Sequence, residues 1–434
     1  HSVTGVQTCA LPILTVAIRQ GAQRVLTLTL RSQVLAEAAQ PARRLSAGSA
    51  ALTPGPECGL CPTLQIFDRR HAGQLAYEYI LRAGDVDDRF RSAAVEVDPR
   101  AYVDARYAEI EKAWLGSERA VERFAQRLEA IGGAMFRQLF PLPLQQALWR
   151  LLEAGQMADI LVYSDEPFLP WEVVLLDDPA APAASGRGRF FGDIGLCRWL
   201  YGAPPACAIR VGAGAARYVI PHYPDPKLRL AWAEGAERQV LETELHATPV
   251  PPRHDVLVEL LRRPGSFDLL HFACHGKADA QDIDAAALLL EGETFQTPRG
   301  QTWGKESLLA STVDQVANLR RADGNRPLVV VNACQTGRLG YALTGLGGFA
   351  TAFLGTREGT GSSLGRAGAF VGALWSVGDQ SASVFVAELY RALRGGATMA
   401  QAARNARARA RDAGDGTWLA YAIYAHPHLR VHFD

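Results

Sequence analysis

The chain has no excess of either charge: Lys plus Arg and Asp plus Glu each number 45 in 434 residues. That balance leaves no overall electrostatic footprint for a nucleic acid or an anionic membrane, with only local patches open. Long apolar runs are missing too. The longest are strand-sized, far short of the roughly 20 residues a membrane-spanning helix needs. A dense, even cysteine framework is also absent: seven cysteines, at 9, 58, 61, 197, 207, 274 and 334, are spread along the whole chain. That pattern is unlike a small secreted domain and makes a reducing cytoplasm the expected setting. Cys58-Gly-Leu-Cys61 has no second pair or nearby histidines, so two loop thiols are expected there and a zinc site is not. Neither metal nor cofactor is called for.

What is present is ordinary globular material. Hydrophobic residues make up 48% and charged residues 21%, which excludes disordered and fibrous classes, and the length suits one large or two ordinary domains. The beginning reads differently. Val3–Ile13, "VTGVQTCALPI", is what a common sequencing-library adapter encodes when translated. It lacks the basic stretch that opens a signal peptide, and the first methionine is Met135. Residues 1–13 are therefore expected to be adapter-derived, with Leu14 near the start of the evolved sequence and upstream domains missing.

Residues 14–30, "LTVAIRQGAQRVLTLTL", alternate apolar and polar positions about Gln20-Gly21-Ala22, which predicts a β-hairpin. The Ala/Pro/Gly-rich stretch 32–62 reads as a helix fragment plus loop. From about 100 to 155, Tyr107, Ile110, Trp114, Val121, Phe124, Leu128 and Ile131 recur at helical spacing, predicting two or three amphipathic helices. Then the period changes. "ADILVYSD" (158–165), "ARYVIPHY" (216–223), "FDLLHFAC" (267–274), "PLVVVNAC" (327–334) and "GAFVGALWSV" (368–377) are short apolar runs, with helical stretches at 229–245, 254–263 and 342–354 between some of them. Continuous apolar strands alternating with helices predict a mainly parallel α/β sheet covered on both faces. Functional groups in such sheets lie beyond the carboxyl ends of the strands.

Two of those ends carry reactive side chains. His275 and Gly276 follow one strand, and Cys334 follows another. A thiol needs a base to become a thiolate at neutral pH, and a histidine supplies it. The backbone N–H groups of Gly276 and Cys334 are candidates for an oxyanion hole, and glycine allows close backbone approach. A strand-end cysteine is also a common core residue. His271 lies inside its apolar strand and reads as a satisfied core histidine. Cys274 directly precedes His275, and neighbours on an extended chain point to opposite faces, so it is poorly placed to partner that histidine.

"LLHFACHG" and "VVVNACQTG", with "GLGGFATAFL" (345–354), "GALWSVGD" (372–379) and "WLAYAIYAHP" (418–427), resemble the CHAT domain, a caspase-like peptidase domain related to separase. "DEPFLPWEVVLL" (165–176) and the Ala-Glu-Gly-Ala-Glu segment at 233–237 are similar to parts of that domain upstream of the histidine. The resemblance spans roughly 100–434 and implies a caspase-hemoglobinase fold, its catalytic half at about 210–434. The region 14–99 is left as a hairpin and loops of unknown role. It further implies a cysteine endopeptidase with His275 as general base and Cys334 as nucleophile, a protein substrate, an activating partner, and a place in bacterial defence or signalling. Asn332 stands where caspases carry glutamine, which bears on the substrate pocket. By the same resemblance Asp379 corresponds to the acidic residue that receives a substrate arginine in separase-like enzymes. From its position alone Asp379 reads equally well as the N-cap of the following helix. A catalytically silent interaction module and amidase or transferase chemistry with the same dyad are the other classes open. Gly355–Gly368 is expected to be a glycine-rich loop near the cleft, without a phosphate-loop context. Arg404, Arg407 and Arg411 are expected to form a solvated helix face.

Overall fold

The computed structural model describes the strands at 13–20 and 23–31 and residues 58–434, apart from breaks at 72–73, 95–97, 115–120, 165–167, 182–185, 201–204, 278–284, 299, 320, 322, 335–339, 343–344, 356–365 and 415. Residues 1–12, the stretch 32–57 and most of the loop between Gly355 and Gly368 thus lie outside the described residues. The expected hairpin is present: Ile13–Gln20 pairs antiparallel with Gln23–Arg31, with a register shift between Ile18 and Arg19.

From Cys58 onward the chain builds around one sheet of eleven strands. Five of them, in spatial order, are Thr248–Pro249, Ala216–Val219, Leu269–Ala273, Leu328–Asn332 and Ala369–Ala373, all parallel. Tyr421–Tyr424 follows antiparallel to the last of these and opens a second parallel run through Leu196–Trp199, Ile160–Ser164 and Thr63–His71. An antiparallel meander, Thr63–His71 to Gln74–Ala83 to Val86–Arg91, closes the far edge. The mainly parallel α/β class read from the sequence is the one observed. The division expected near residue 100 falls inside this unit, because the meander strands extend the same sheet.

The central strands are apolar throughout because both faces are covered. Leu269–Ala273 and Leu328–Asn332, hereafter the histidine strand and the cysteine strand, are buried at every position. Helices Pro99–Trp114, Val121–Leu139 and Leu142–Glu153 supply the helical region predicted for 100–155. Helix Asp379–Arg394 packs with helix Met399–Asp412, which opens on a capping box: the Thr398 side chain accepts from Gln401 N while Gln401 reaches back to the Thr398 amide.

That last helix corrects one expectation. Arg407 is fully buried and donates to the Gly192 and Tyr421 carbonyls at 2.7 and 2.8 Å, Arg404 donates to the Ala158 carbonyl, and Arg411 pairs with Asp193. Arg407 is therefore buried against backbone and Arg404 half-buried on it, while Arg411 stays exposed beside Asp193. The CxxC is corrected as well: Cys58 is disulfide-bonded to Cys207, and Cys61 Sγ lies 3.7 Å from His426 Nε2. A disulfide removes the argument for a reducing compartment that rested on unpaired thiols. Among the described residues no helix is long and apolar enough to cross a membrane.

The second half of the sheet depends on a buried ion pair. Arg198, in the strand Leu196–Trp199, directs Nε at Glu172 Oε1 (2.8 Å), and its Nη2 donates to Glu172 Oε2 and to the Leu169 carbonyl (2.9 Å). Both side chains are inaccessible to solvent. Removing one partner strands the other charge, so Glu172→Ala is expected to lose about 3–5 kcal/mol of stability, measured by equilibrium denaturation. A loss under about 1 kcal/mol, the size expected of a surface pair, contradicts this.

Candidate active site

Strand register sets the geometry. The histidine and cysteine strands run parallel and adjacent, with Leu269 opposite Leu328 and Ala273 opposite Asn332. The Cys274 amide still donates to the Asn332 carbonyl at 3.3 Å, so the pairing persists past the last ladder positions. Counting two steps on from the Ala273–Asn332 pair on each chain sets His275 level with Cys334. Both are partly exposed, while Cys274, which directly precedes His275, is buried. The reading of Cys274 as the wrong-facing neighbour agrees with this burial.

The His275 ring is fixed by a group the sequence did not reveal. Its Nε2 lies 2.8 Å from the Leu228 carbonyl oxygen. A carbonyl only accepts, so Nε2 carries the proton and Nδ1 of a neutral ring holds the free lone pair. The His275 amide meanwhile donates to, or is capped by, the phenol oxygen of Tyr223 at 3.1 Å, and the two rings lie 5.2 Å apart. Tyr223 is buried and its hydroxyl donates to the Leu289 carbonyl at 2.8 Å. Burial pushes its phenol far above the usual range, which keeps it a neutral donor. No sequence signal marked Leu228, because the contact is made by backbone.

Gly276 opens a two-residue strand, Gly276–Lys277, paired with Ala287–Leu289. Gln335, Thr336 and Gly337, which complete the cysteine motif, lie outside the described residues.

Asp379 does not cap the helix it opens. It is the first residue of helix Asp379–Arg394, whose N-cap is Gly378 with no side-chain cap. The carboxylate instead caps a different helix: Oδ2 accepts from the Trp232 amide at 2.8 Å and Oδ1 from the Ala233 amide at 3.2 Å. Burial raises its carboxyl above the ordinary range, against the lowering effect of those two amides and of nearby His275. Asp379 is thus part of the His275 neighbourhood and half-exposed, while holding a helix terminus.

Asn332 does not make the substrate contact expected of it. It is 7% exposed, its Nδ2 donates to both oxygens of Glu237 at 3.0 Å each, and its Oδ1 accepts from the Tyr421 hydroxyl at 2.6 Å. Both ends of the amide are committed inside the protein. His271 is a core histidine, as read from sequence: it is fully buried, with Nδ1 2.9 Å from the Tyr390 hydroxyl, and Nε2 meets Glu237 Oε1 at 2.7 Å as a charge contact without hydrogen-bond alignment.

Fold and site together define a mainly parallel α/β domain that sets a histidine and a cysteine at the same level of adjacent strand ends. Residues 216–428 match the family model of the CHAT domain. No curated protein matches the chain. Similar solved structures include the Saccharomyces cerevisiae separase–securin complex at 3.0 Å (10% identity, TM-score 0.49, covering 85% of this chain and 30% of that one). Another is the Arg-specific cysteine proteinase gingipain R (12% identity, TM-score 0.42, covering 68% and 69%). A third is the complex of Porphyromonas gingivalis RgpB pro- and mature domains (12% identity, TM-score 0.37, covering 76% and 78%). The chain thus spans under a third of the separase chain's length.

Thiol chemistry separates the cysteines. Burial pushes the Cys61 thiol up to about 12, and the Cys197 and Cys274 thiols higher still. At pH 8 these three are therefore protonated and slow toward alkylation, because the thiolate is the reactive form. Iodoacetamide followed by peptide mass spectrometry should modify Cys334 well before any of them in the folded protein. Cys274 reacting as fast as Cys334 contradicts the site.

Proposed function

We propose that the chain is a cysteine endopeptidase in which Cys334 is the nucleophile and His275 the general base. The reading is carried by the register that sets these two residues level at the ends of neighbouring strands, with the imidazole tautomer fixed by the Leu228 carbonyl. In this mechanism Nδ1 takes the thiol proton and the thiolate adds to the scissile carbonyl. The N–H groups of Gly276 and Cys334 receive the developing oxyanion. The imidazolium then returns its proton to the leaving amine, and water hydrolyses the thioester. The Leu228 carbonyl, the buried Tyr223 ring and Asp379 lie around the imidazole.

The match to the CHAT domain supports a protein substrate and regulation by a partner protein, in a bacterial defence or signalling pathway. Asp379 is proposed to receive a basic residue immediately before the cleaved bond. A carboxylate has lone pairs beyond the two engaged by the Trp232 and Ala233 amides, and a guanidinium matches such a group with two parallel hydrogen bonds where an ammonium cannot.

Cys334→Ala removes the nucleophile with little change in volume. It is expected to cost on the order of a millionfold in rate, with His275→Ala nearly as damaging and the two losses not adding. The assay is peptide-library cleavage by the purified variants with melting curves alongside. Undiminished cleavage by folded Cys334→Ala removes the peptidase assignment.

Asp379→Asn tests the pocket. Loss of a charge-assisted contact of about 1.5–3 kcal/mol should lower kcat/KM after arginine roughly ten- to a hundredfold, leaving other residues at that position little affected. Because burial raises the Asp379 carboxyl, it protonates at a higher pH than an exposed carboxylate, so the arginine preference should fade correspondingly early on acidification. An arginine preference unchanged in Asp379→Asn leaves the residue as a helix cap alone.

A further inference from the structure

A carboxylate with 1% exposure sits under the candidate dyad. Glu237 ends a five-residue π-helical turn, Ala233–Glu237, that runs directly into helix Arg238–Thr243. Such turns are rare and cluster at functional sites, since the extra residue re-aims the side chains that follow. A buried charge is costly unless several partners meet it. Here Asn332 Nδ2 lies 3.0 Å from each Glu237 oxygen, and His271 Nε2 lies 2.7 Å from Oε1.

Those two partners belong to the two strands that carry the dyad. Asn332 is the last residue of the cysteine strand, two before Cys334, and His271 lies in the histidine strand, four before His275. Each is gripped from its other side by a buried tyrosine: Tyr421 on Asn332 Oδ1 at 2.6 Å and Tyr390 at 2.9 Å from His271 Nδ1. An asparagine held at both ends of its amide fixes the backbone from which the chain departs toward Cys334. The same stretch of chain reaches the site twice more, through the Leu228 carbonyl on His275 and the Trp232 and Ala233 amides on Asp379.

We infer that Glu237 is a positioning residue for the dyad, its carboxylate tying the cysteine strand to the histidine strand through Asn332 and His271. The inference rests on the peptidase reading above. It assigns Glu237 no contact with substrate; it acts through the placement of Cys334 against His275. Displacement of a reacting group by about 1 Å can cost on the order of a hundredfold in rate, so the tie need only move the strand end slightly to matter.

The test reads Cys334 directly, without needing the natural substrate. Second-order alkylation of Cys334 by iodoacetamide is followed by mass spectrometry in the full chain and in Glu237→Gln, Asn332→Ala, the double variant and His275→Ala, each with a melting curve. Glu237→Gln keeps the shape and is expected to stay folded while its Cys334 rate falls roughly ten- to a hundredfold. In peptide cleavage kcat should fall in step and KM should hold. Because both changes cut the same tie, the double variant should lose no more than Asn332→Ala alone. A wild-type alkylation rate in Glu237→Gln, or losses that multiply in the double variant, overturns the inference, as does a Gln variant that loses its fold, since the carboxylate then holds the fold and not the dyad. Failure of the underlying reading looks different: Cys334 reacting at the same rate in His275→Ala removes the dyad itself, and this inference with it.

Discussion

Everything proposed for this protein depends on one constraint, the parallel register of two buried strands. Pairing Ala273 with Asn332 puts the histidine and the cysteine at one level two residues later, and a one-residue slip would send every side chain of the strand to the other face. Such a slip would exchange the two faces of the cysteine strand and take Cys334 off the level of His275. The continuous run Leu328–Val331, buried on both sides, resists it. The site is in this sense a by-product of core packing: hydrophobic burial sets the register, and the register sets the chemistry.

A second layer of control comes from the segment between Leu228 and Glu237. It holds His275 by a carbonyl and Asp379 by two amides, and its Glu237 carboxylate reaches both strands through Asn332 and His271. Three different elements of the site are therefore referred to one short, irregular piece of chain. The same segment carries an exposed tryptophan, Trp232, 43% accessible.

Much of this was legible in the sequence because its strands declare themselves. "LLHFAC" and "LVVVNAC" are too short for helices and too apolar for a solvated face, and each is followed at once by polar residues and glycine. His271 could likewise be placed in the core from its position within an apolar run. What remained hidden was carried by backbone or by distant partners. No pattern marks a Leu228 carbonyl as the partner of a histidine 47 residues on, and nothing local shows that Asp379 caps a helix 146 residues earlier. The arginines of the last helix were misread because spacing shows that residues share a face but not what covers it; Arg407 proves to be buried against carbonyls. Asn332 was read as pocket lining from its place before the cysteine, whereas alternation turns it toward Glu237 and Tyr421.

The measurement that bears most directly on the central claim is covalent trapping with a peptidyl electrophile carrying arginine at the position before its reactive group, read by intact mass and by the site of the adduct. The account predicts a single adduct on Cys334, formed in the parent, lost in Cys334→Ala and strongly slowed in His275→Ala. An adduct on another cysteine, or one on Cys334 that forms equally well without His275, contradicts it.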